Sequence, residues 1–259
     1  MLGLIEGWIR RGRPDGRAPL IGVAGCQASG KTTLSRAAVR CFGAAHFSID
    51  DVYLTKAERQ ALAAEVHPLF AVRGPPGTHD VELARRTVEA LRDAGEGART
   101  SIPAFDKLAD DRLPEAAWPV FQGRPSAVII DGWCVGATPL TPEEQARPVN
   151  ALEASEDAHG TWRGAWNAHL GGDYAAFFAG FDAILFLAAP SFAVVLDWRC
   201  EQEAGLLGVA PAELPPERRA KLERFIAHYQ SLTEHMLRGG IRADATARLD
   251  RDWRVLALA

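Results

Sequence analysis

The feature that most constrains this chain is a glycine-framed turn between an apolar run and a helical stretch. Gly25-Cys26-Gln27-Ala28-Ser29-Gly30-Lys31-Thr32 matches the pattern G-x-x-x-x-G-K-[ST]. The glycines let the backbone turn tightly, so consecutive N–H groups face one concavity and hold phosphate oxygens. An apolar run at residues 20–24 precedes the pattern and a helical stretch at 31–42 follows it, as this mechanism requires. The sequence therefore predicts a phosphate-binding loop, or P-loop.

The P-loop assigns chemistry to individual residues. The Lys31 ammonium can reach the β- and γ-phosphates of a nucleotide, and the Thr32 hydroxyl can ligate Mg²⁺. The helix that begins near Gly30 adds the positive end of its dipole. We predict nucleotide contacts from Gly25, Cys26, Gln27, Ala28, Ser29, Gly30, Lys31, Thr32 and Thr33.

Short apolar runs alternate with amphipathic stretches along the chain. The runs at 20–24, 45–49, 127–130 and 183–187 predict buried strands, and 248–249 with 255–258 predict edge strands. Helices are predicted at 31–42, 80–94 and 216–236, and loops at 73–79 and 138–148. Continuous apolar strands separated by helices are typical of a parallel sheet covered on both faces. We predict one α/β domain spanning residues 1–259.

Two carboxylates end predicted strands. Asp131 follows the run at 127–130, and Asp50 follows the run at 45–49. Because ligands of parallel sheets bind beyond the carboxyl ends of the strands, both acids are expected near the P-loop. There Asp131 can hold Mg²⁺ or its water, and Asp50 can accept a proton from an attacking alcohol. A loop cap is the alternative for Asp131, and a turn cap is the favoured role for the neighbouring Asp51.

Composition and missing motifs exclude several classes of protein. The chain is 47% hydrophobic with a formal net charge of −4, which argues against disorder and gives no general attraction to nucleic acid or anionic membranes. No apolar stretch is long enough to span a bilayer, and the N-terminus lacks the pattern of a secretory signal. The absence of N-K-x-D and L-S-G-G-Q lowers the case for a GTPase or a transporter ATPase. Four widely spaced cysteines fit reduced thiols, so we expect a cytoplasmic protein.

Several further segments, in order, are similar to those of one family. They are residues 25–33, 48–55, 73–80, 102–107, 131–133, 149–150 and 198–203. The chain thus resembles P-loop kinases of the phosphoribulokinase, uridine kinase and pantothenate kinase group, and within that group the plant- and fungal-type D-glycerate 3-kinases and their bacterial relatives. The resemblance implies a P-loop NTPase fold with about five parallel strands, helices on both faces, and acceptor and lid insertions near 55–125 and 136–180. It also implies ATP and Mg²⁺ as cofactors.

The resemblance carries roles onto matching positions. Asp50 corresponds to the catalytic base, Lys31 to the phosphate lysine and Arg199 to a lid arginine. The implied metal ligands are Thr32, Asp50 and Asp131. The implied substrate residues are Tyr53, Arg73, His79, Asp80, Phe105, Lys107 and Arg112.

Three departures from the family pattern stand out. Asp131 replaces the usual Glu and shortens the reach to the metal by one methylene, Ala28 replaces a common glycine, and residues 110–112 match only loosely.

The residue types between positions 53 and 131 indicate the chemical class of the acceptor. The basic side chains of Arg73, His79, Lys107 and Arg112 suit a carboxylate, whereas only Phe105 offers an obvious surface for stacking a base. We therefore expect a small acidic acceptor, D-glycerate first, with no nucleic acid or membrane partner. A kinase of a pantothenate- or nucleoside-like acceptor, or a nucleotide-binding regulator without a metabolite acceptor, stays open.

Overall fold

The strand that leads into the P-loop is the centre of a six-stranded sheet. The computed structural model describes residues 1–259. Its strands are β1 (Leu20–Gly25), β2 (Ala45–Ser48), β3 (Arg99–Ser101), β4 (Phe105–Asp106), β5 (Asp111–Arg112), β6 (Val120–Gln122), β7 (Val128–Gly132), β8 (Ala183–Ala188), β9 (Ala245–Leu249) and β10 (Val255–Leu258). The main sheet has the order β10-β9-β8-β1-β7-β2. Five of these strands are parallel, and β10 pairs antiparallel with β9 as the sixth.

The helices cover both faces of this sheet, as predicted. They are α1 (Leu2–Arg11), α2 (Lys31–Phe42), α3 (Lys56–Glu65), α4 (Val81–Arg92), α5 (Pro142–Ala146), α6 (Ala151–Glu156), α7 (Thr161–His169), α8 (Ala175–Ala179), α9 (Ala193–Leu207), α10 (Pro216–Ala227) and α11 (Gln230–Leu237). None of them is long and apolar enough to cross a lipid bilayer.

Alternate residues of β1 enter two different cores. Leu20 and Ala24 pack on the side of α3, α4, α7 and α11, while Ile21 and Val23 pack on the side of α1, α2 and α9. A strand covered on both faces needs apolar residues at every position. This explains the uninterrupted apolar run before the P-loop.

The predicted helix over 216–236 is wrong in one respect, because it divides into α10 and α11. The His228 ring donates through Nδ1 to the carbonyl oxygen of Arg224 at 3.0 Å, which satisfies a carbonyl of the last turn. Tyr229 then leaves the helical path and packs edge-on against Trp133, with ring centroids 4.7 Å apart. The apolar periodicity of the sequence runs through the break, although Ile226 of α10 packs on the side of α1, α2 and α9 while Leu232 and Met236 of α11 pack on the side of α3, α4 and α7.

The predicted loop over 138–148 contains the short helix α5. Its first turn is fixed by a capping box, in which the Thr141 side chain accepts from the Glu144 N–H and the Glu144 carboxylate accepts from the Thr141 N–H. The predicted insertions hold the remaining short elements. The segment near 55–125 carries α3, α4 and the antiparallel pairs β3–β6 and β4–β5.

We expect Gly22→Ala to destabilise the protein by about 1–3 kcal/mol through overpacking. A Cβ at Gly22 would lie 2.9 Å from the Val135 side chain and 3.1 Å from that of Ile184, both fully buried. The matched control is Gly7→Ala on α1, where a Cβ meets nothing within 4 Å and the helix gains propensity. Urea unfolding of both variants measures the difference, and equal stability of the two would contradict this account of the core.

Candidate active site

The P-loop connects β1 to α2 through three unusual backbone positions. Gly25 and Gly30 have φ of 154° and 91°. A Cβ at Gly25 would lie 2.8 Å from the Leu187 backbone oxygen of β8, so the residue must be glycine. Ala28 adopts a left-handed φ of 59°, which costs a non-glycine residue about 1 kcal/mol. This is the position where the family resemblance leads one to expect glycine.

The Lys31 side chain folds over the loop that precedes it. Its Nζ donates to the Cys26 carbonyl oxygen at 2.7 Å. Lys31, Thr32, Gln27 and Ala28 line one cleft of about 620 Å³. The lysine of the predicted phosphate site therefore lies at the floor of this cleft with a neutral internal partner.

Sheet register brings Asp131 to the same cleft. Asp131 pairs with Val23 of β1 on one side and with Ser48 of β2 on the other. Its side chain is almost fully buried, and Oδ2 accepts a 3.0 Å hydrogen bond from Nε2 of His46. Burial alone would raise the pKa of Asp131, but the hydrogen bond and charge of His46 outweigh it and lower the pKa. The ionised carboxylate form of Asp131 is therefore favoured.

His46 is a cleft residue that the sequence analysis missed. It alternates with buried neighbours along β2, since Ala45 and Phe47 are buried while His46 and Ser48 are half-buried and line the cleft. The only sequence signal for His46 is that polar and apolar residues alternate along β2. This pattern covers just two polar residues, His46 and Ser48.

Asp50 lies at the opposite wall of the cleft, in a short turn after β2. The Tyr53 hydroxyl donates to Oδ1 at 2.9 Å, and the Lys107 ammonium lies 2.8 Å from Oδ2. Burial would raise the pKa of Asp50, but the Lys107 charge and hydrogen bond outweigh it and lower the pKa to about 2. The neighbouring Asp51 caps the turn by accepting from the Ser48 N–H at 2.8 Å. Burial raises the pKa of Asp51 to about 6.

The cations expected on the acceptor side divide into two groups. Lys107 and Arg73 line the cleft with Asp50. The Arg73 guanidinium pairs with Asp110 and lies 5.6 Å from the centre of the Phe105 ring. These two side chains can meet an acidic acceptor directly.

The structure does not bring the other substrate candidates to the cleft surface. Asp80 caps α4 by accepting from the Leu83 N–H at 2.8 Å, and its second oxygen pairs with Arg112 at 3.2 Å. His79 is buried and stacks on Tyr53 with centroids 4.4 Å apart. Phe105 is also buried, with its edge toward Tyr53. Asp80, Arg112, His79 and Phe105 do not line the cleft, and their contact with substrate stays a prediction. Their contacts within the protein support Tyr53 and the adjoining turn.

Arg199, which the resemblance assigns to a lid, and two aromatic residues complete the lining of the cleft. Arg199 lines it from α9, with its guanidinium near Gln202 and Glu203. Trp133 and Tyr229 line the opposite side, and the Tyr229 hydroxyl donates to the Arg73 carbonyl oxygen at 3.0 Å. Tyr229 belongs to the buried core, as its helical spacing indicates, and no sequence signal shows that it also borders the cleft.

A second cavity of about 390 Å³ adjoins the cleft at the P-loop, where Ala28, Lys31 and Thr32 line both. It is bounded by Thr32 and Thr33 at the start of α2, and by Trp198 and Trp253. The indole N–H of Trp253 donates to the Ala28 carbonyl oxygen at 2.9 Å, and its ring stacks on Trp198 with centroids 5.2 Å apart. The turn between β9 and β10 therefore contacts the P-loop directly.

The oxygen donors around the P-loop suit magnesium. The residues described include no group of three or more His, Cys, Asp or Glu side chains that could hold a metal. Thr32, Asp50 and Asp131 nevertheless all line the cleft. Mg²⁺ prefers hydroxyl and carboxylate oxygens and usually binds through one or two carboxylates together with phosphates and water. This small donor set is therefore compatible with a magnesium–nucleotide complex, although it would not form a metal cage by itself.

We expect His79 to make stability fall as the pH is lowered. Burial lowers the pKa of His79 to about 4, whereas in the unfolded chain it titrates near 6.5. The unfolded state thus takes up the proton first, and the unfolding free energy should drop by about 2 kcal/mol between pH 8 and pH 5. Urea unfolding of His79→Gln across that range should show a flatter pH dependence. The control His159→Gln changes an exposed ring and should keep the original slope; an unchanged slope for His79→Gln would contradict the assignment.

Comparisons with known proteins agree with the fold and the order of these motifs. No family model matches the chain. The uncharacterized kinase mug58 of Schizosaccharomyces pombe is 31% identical over 235 residues, covering 84% of this chain and 80% of that protein. The chloroplastic D-glycerate 3-kinase of Arabidopsis thaliana is 35% identical over 230 residues, covering 81% of this chain but 46% of that protein, so the chain spans about half of its length.

The structural comparison gives the same relationship. D-glycerate 3-kinase from Cryptococcus neoformans var. grubii superposes with a TM-score of 0.79 at 21% identity, over 100% of this chain and 97% of that one. At this identity the superposition supports the fold, and the two sequence relatives support the family. The chain belongs to the family of P-loop kinases that includes the D-glycerate 3-kinases.

Proposed function

We propose that the protein transfers the γ-phosphoryl group of ATP to a hydroxyl of a small hydroxy acid, with D-glycerate giving 3-phospho-D-glycerate as the first acceptor to test. One observation carries this proposal. A carboxylate suited to act as base, Asp50, lies in the same cleft as the P-loop lysine and beside two cations, Lys107 and Arg73. The names of the Arabidopsis and Cryptococcus relatives give the same acceptor for those proteins.

The P-loop would hold the phosphates, and Lys31 would exchange the Cys26 carbonyl for phosphate oxygens. Thr32 and Asp131 would hold Mg²⁺, which when bound neutralises charge on the β- and γ-phosphate oxygens. Asp131 fits this role because His46 stabilises its ionised form. Arg199 lines the cleft from α9, where its guanidinium can neutralise charge that develops during transfer.

Asp50 would orient the acceptor and accept its proton. The acceptor oxygen forms a bond to the γ-phosphorus while the bond to the leaving oxygen breaks, so that ADP departs and the hydroxyl proton passes to Asp50. The Tyr53 hydrogen bond fixes the direction of the carboxylate. Orientation of the acceptor oxygen by Asp50 adds to its contribution as the proton acceptor.

An acidic acceptor fits the charge of the cleft better than a nucleoside. Lys107 and Arg73 can each bind a carboxylate, and an arginine can do so with two parallel hydrogen bonds. Four aromatic side chains that line the cleft are almost fully buried and offer no free face for a base: Phe47, Tyr53, Trp133 and Tyr229. A fifth, Phe225, is half-buried and packs against Tyr229.

A panel of acceptors tests the function. D-glycerate, pantothenate, uridine and ribulose 5-phosphate are each added in a coupled assay of ADP release, and we expect only D-glycerate to stimulate release strongly. Stimulation by another acceptor would show that the protein acts on a different substrate within the same group of kinases. Slow release that no acceptor changes would instead indicate a nucleotide-binding regulator and contradict the proposal.

Asp50→Asn tests the role of the base. The amide keeps the shape but cannot accept the proton, so kcat should fall about 10³-fold while the Kd for ATP changes little. Asp93→Asn, an isosteric change at an exposed carboxylate, should keep normal turnover. Near-normal turnover by Asp50→Asn would remove Asp50 from its proposed role.

Trp253 tests where the nucleoside lies. If the nucleoside of ATP occupies the 390 Å³ cavity, Trp253→Ala should weaken ADP binding about tenfold, since stacking on an aromatic ring contributes about 1–3 kcal/mol per base. Trp253→Phe keeps a ring but loses the hydrogen bond to Ala28, and it should bind ADP more tightly than Trp253→Ala. Calorimetric titration gives the Kd values, with Trp8→Ala on α1 as the control. Wild-type affinity in Trp253→Ala would place the nucleoside elsewhere.

A further inference from the structure

Both oxygens of the proposed base already have a hydrogen-bond donor. Tyr53 donates to Oδ1 of Asp50, and the Lys107 ammonium lies on Oδ2 at 2.8 Å. Lys107 lines the cleft from which an acceptor must approach. Each carboxylate oxygen can accept a second hydrogen bond, but an ammonium on Oδ2 compensates the charge of Asp50 and makes the carboxylate a poorer acceptor for the proton of the hydroxyl. The base therefore becomes fully effective only after Lys107 has moved.

Of the two donors, Lys107 is the one that can move. Tyr53 is 2% exposed and is held between the stacked ring of His79 and the edge of Phe105. Lys107 is 59% exposed and lies in the turn that joins β4 to β5, directly before Leu108, which is 99% exposed. Nothing but Asp50 holds the Lys107 ammonium.

The other end of this turn is anchored. Asp110 accepts from Arg59 at 2.7 Å and also pairs with Arg73. Lys107 can thus change partners by rotating its own side chain, without displacement of the β4–β5 pair. A lysine has the flexible stem that such an exchange requires.

An acceptor that carries a carboxylate offers the ammonium a new partner. The exchange replaces one ion pair by another, so the charge of Lys107 stays compensated. A neutral alcohol offers no anion. The Lys107 ammonium therefore either stays on Asp50 or leaves it at a net cost in free energy.

We propose that Lys107 is a gate on the base, which the carboxylate of the acceptor opens by drawing the ammonium away from Asp50. This inference rests on the proposed function and adds to it a source of specificity. The gate would select acidic acceptors at the phosphoryl-transfer step as well as in binding. Lys107 is thus a specificity-determining residue for acidic over neutral alcohols.

The test compares D-glycerate with glycerol, which lacks the carboxylate. The values of kcat and KM are measured for both acceptors in the wild type, Lys107→Met, Lys107→Gln and Lys107→Arg. With the ammonium removed, Lys107→Met and Lys107→Gln should raise kcat for glycerol about fivefold, the upper range for a solvent-accessible ion pair. The same variants should lower kcat/KM for D-glycerate about 10²-fold, as expected for the loss of a charge-assisted hydrogen bond.

Two controls separate the gate from other effects. Lys107→Arg keeps a cation beside Asp50, so its kcat for glycerol should not show the rise expected for Lys107→Met and Lys107→Gln. Lys221→Met removes an exposed lysine of α10 and should leave both acceptors unchanged. Thermal unfolding of each variant checks the fold, and the exposed turn position of Lys107 makes an unchanged melting temperature the expected result.

The outcomes distinguish the gate from the function. If kcat for glycerol stays the same or falls in both Lys107→Met and Lys107→Gln, Lys107 only binds the acceptor or supports catalysis, and the gate is overturned while the kinase stands. If the wild type phosphorylates no hydroxy acid, the proposed function fails and the gate fails with it. A rise for glycerol together with a loss for D-glycerate supports the gate.

Discussion

The parallel register of β1 with its two neighbours is the constraint on which the site depends. β7 and β8 both follow β1 by more than one hundred residues, yet they pair with it residue by residue from Leu20 and Ile21 onward. β2 pairs with the other edge of β7. Because these strands run in one direction and end at nearly the same level, the P-loop, Asp131 and the turn with Asp50 meet at one edge of the sheet. The catalytic geometry is thus a consequence of strand register.

The sequence was sufficient for the parts of the molecule that local patterns determine. The P-loop and the strand that feeds it are contiguous, and each buried parallel strand is recognisable as an apolar run. The position of Asp131 follows from the same rule, because a charged residue ends such a run. The fold class, the parallel sheet and the edge strand β10 were therefore predictable. The prediction of an edge strand at 248–249 was wrong, because β9 is an inner strand that pairs parallel with β8.

Other parts depend on partners that are distant in the chain. His46 contributes through Asp131, 85 residues later, and Tyr229 through the backbone of Arg73, 156 residues earlier. No pattern around either residue encodes these contacts. The same holds for Asp80 and Arg112, which have the residue types of a substrate site but bind each other. The break between α10 and α11 was also hidden, because it does not interrupt the apolar periodicity.

The charges in the cleft are compensated internally before any substrate binds. Lys31 is held by a backbone carbonyl, Arg73 by Asp110 and Asp131 by His46. An isolated charge in so enclosed a place would carry a large desolvation cost. Binding of an anionic substrate is therefore an exchange of partners, in which the gain from each new contact is reduced by the loss of an old one. Such a cleft favours discrimination among ligands over high affinity for any one of them.

The contact between Trp253 and the Ala28 carbonyl joins residues 225 positions apart. A ribosome makes Ala28 of the P-loop 225 residues before it makes this tryptophan. Until then neither the second cavity nor the cover over the loop exists, and the central strand also waits for β7 and β8. A ligand that needs the second cavity can therefore stabilise the folded protein, but it cannot bind the nascent chain before Trp253 has been made.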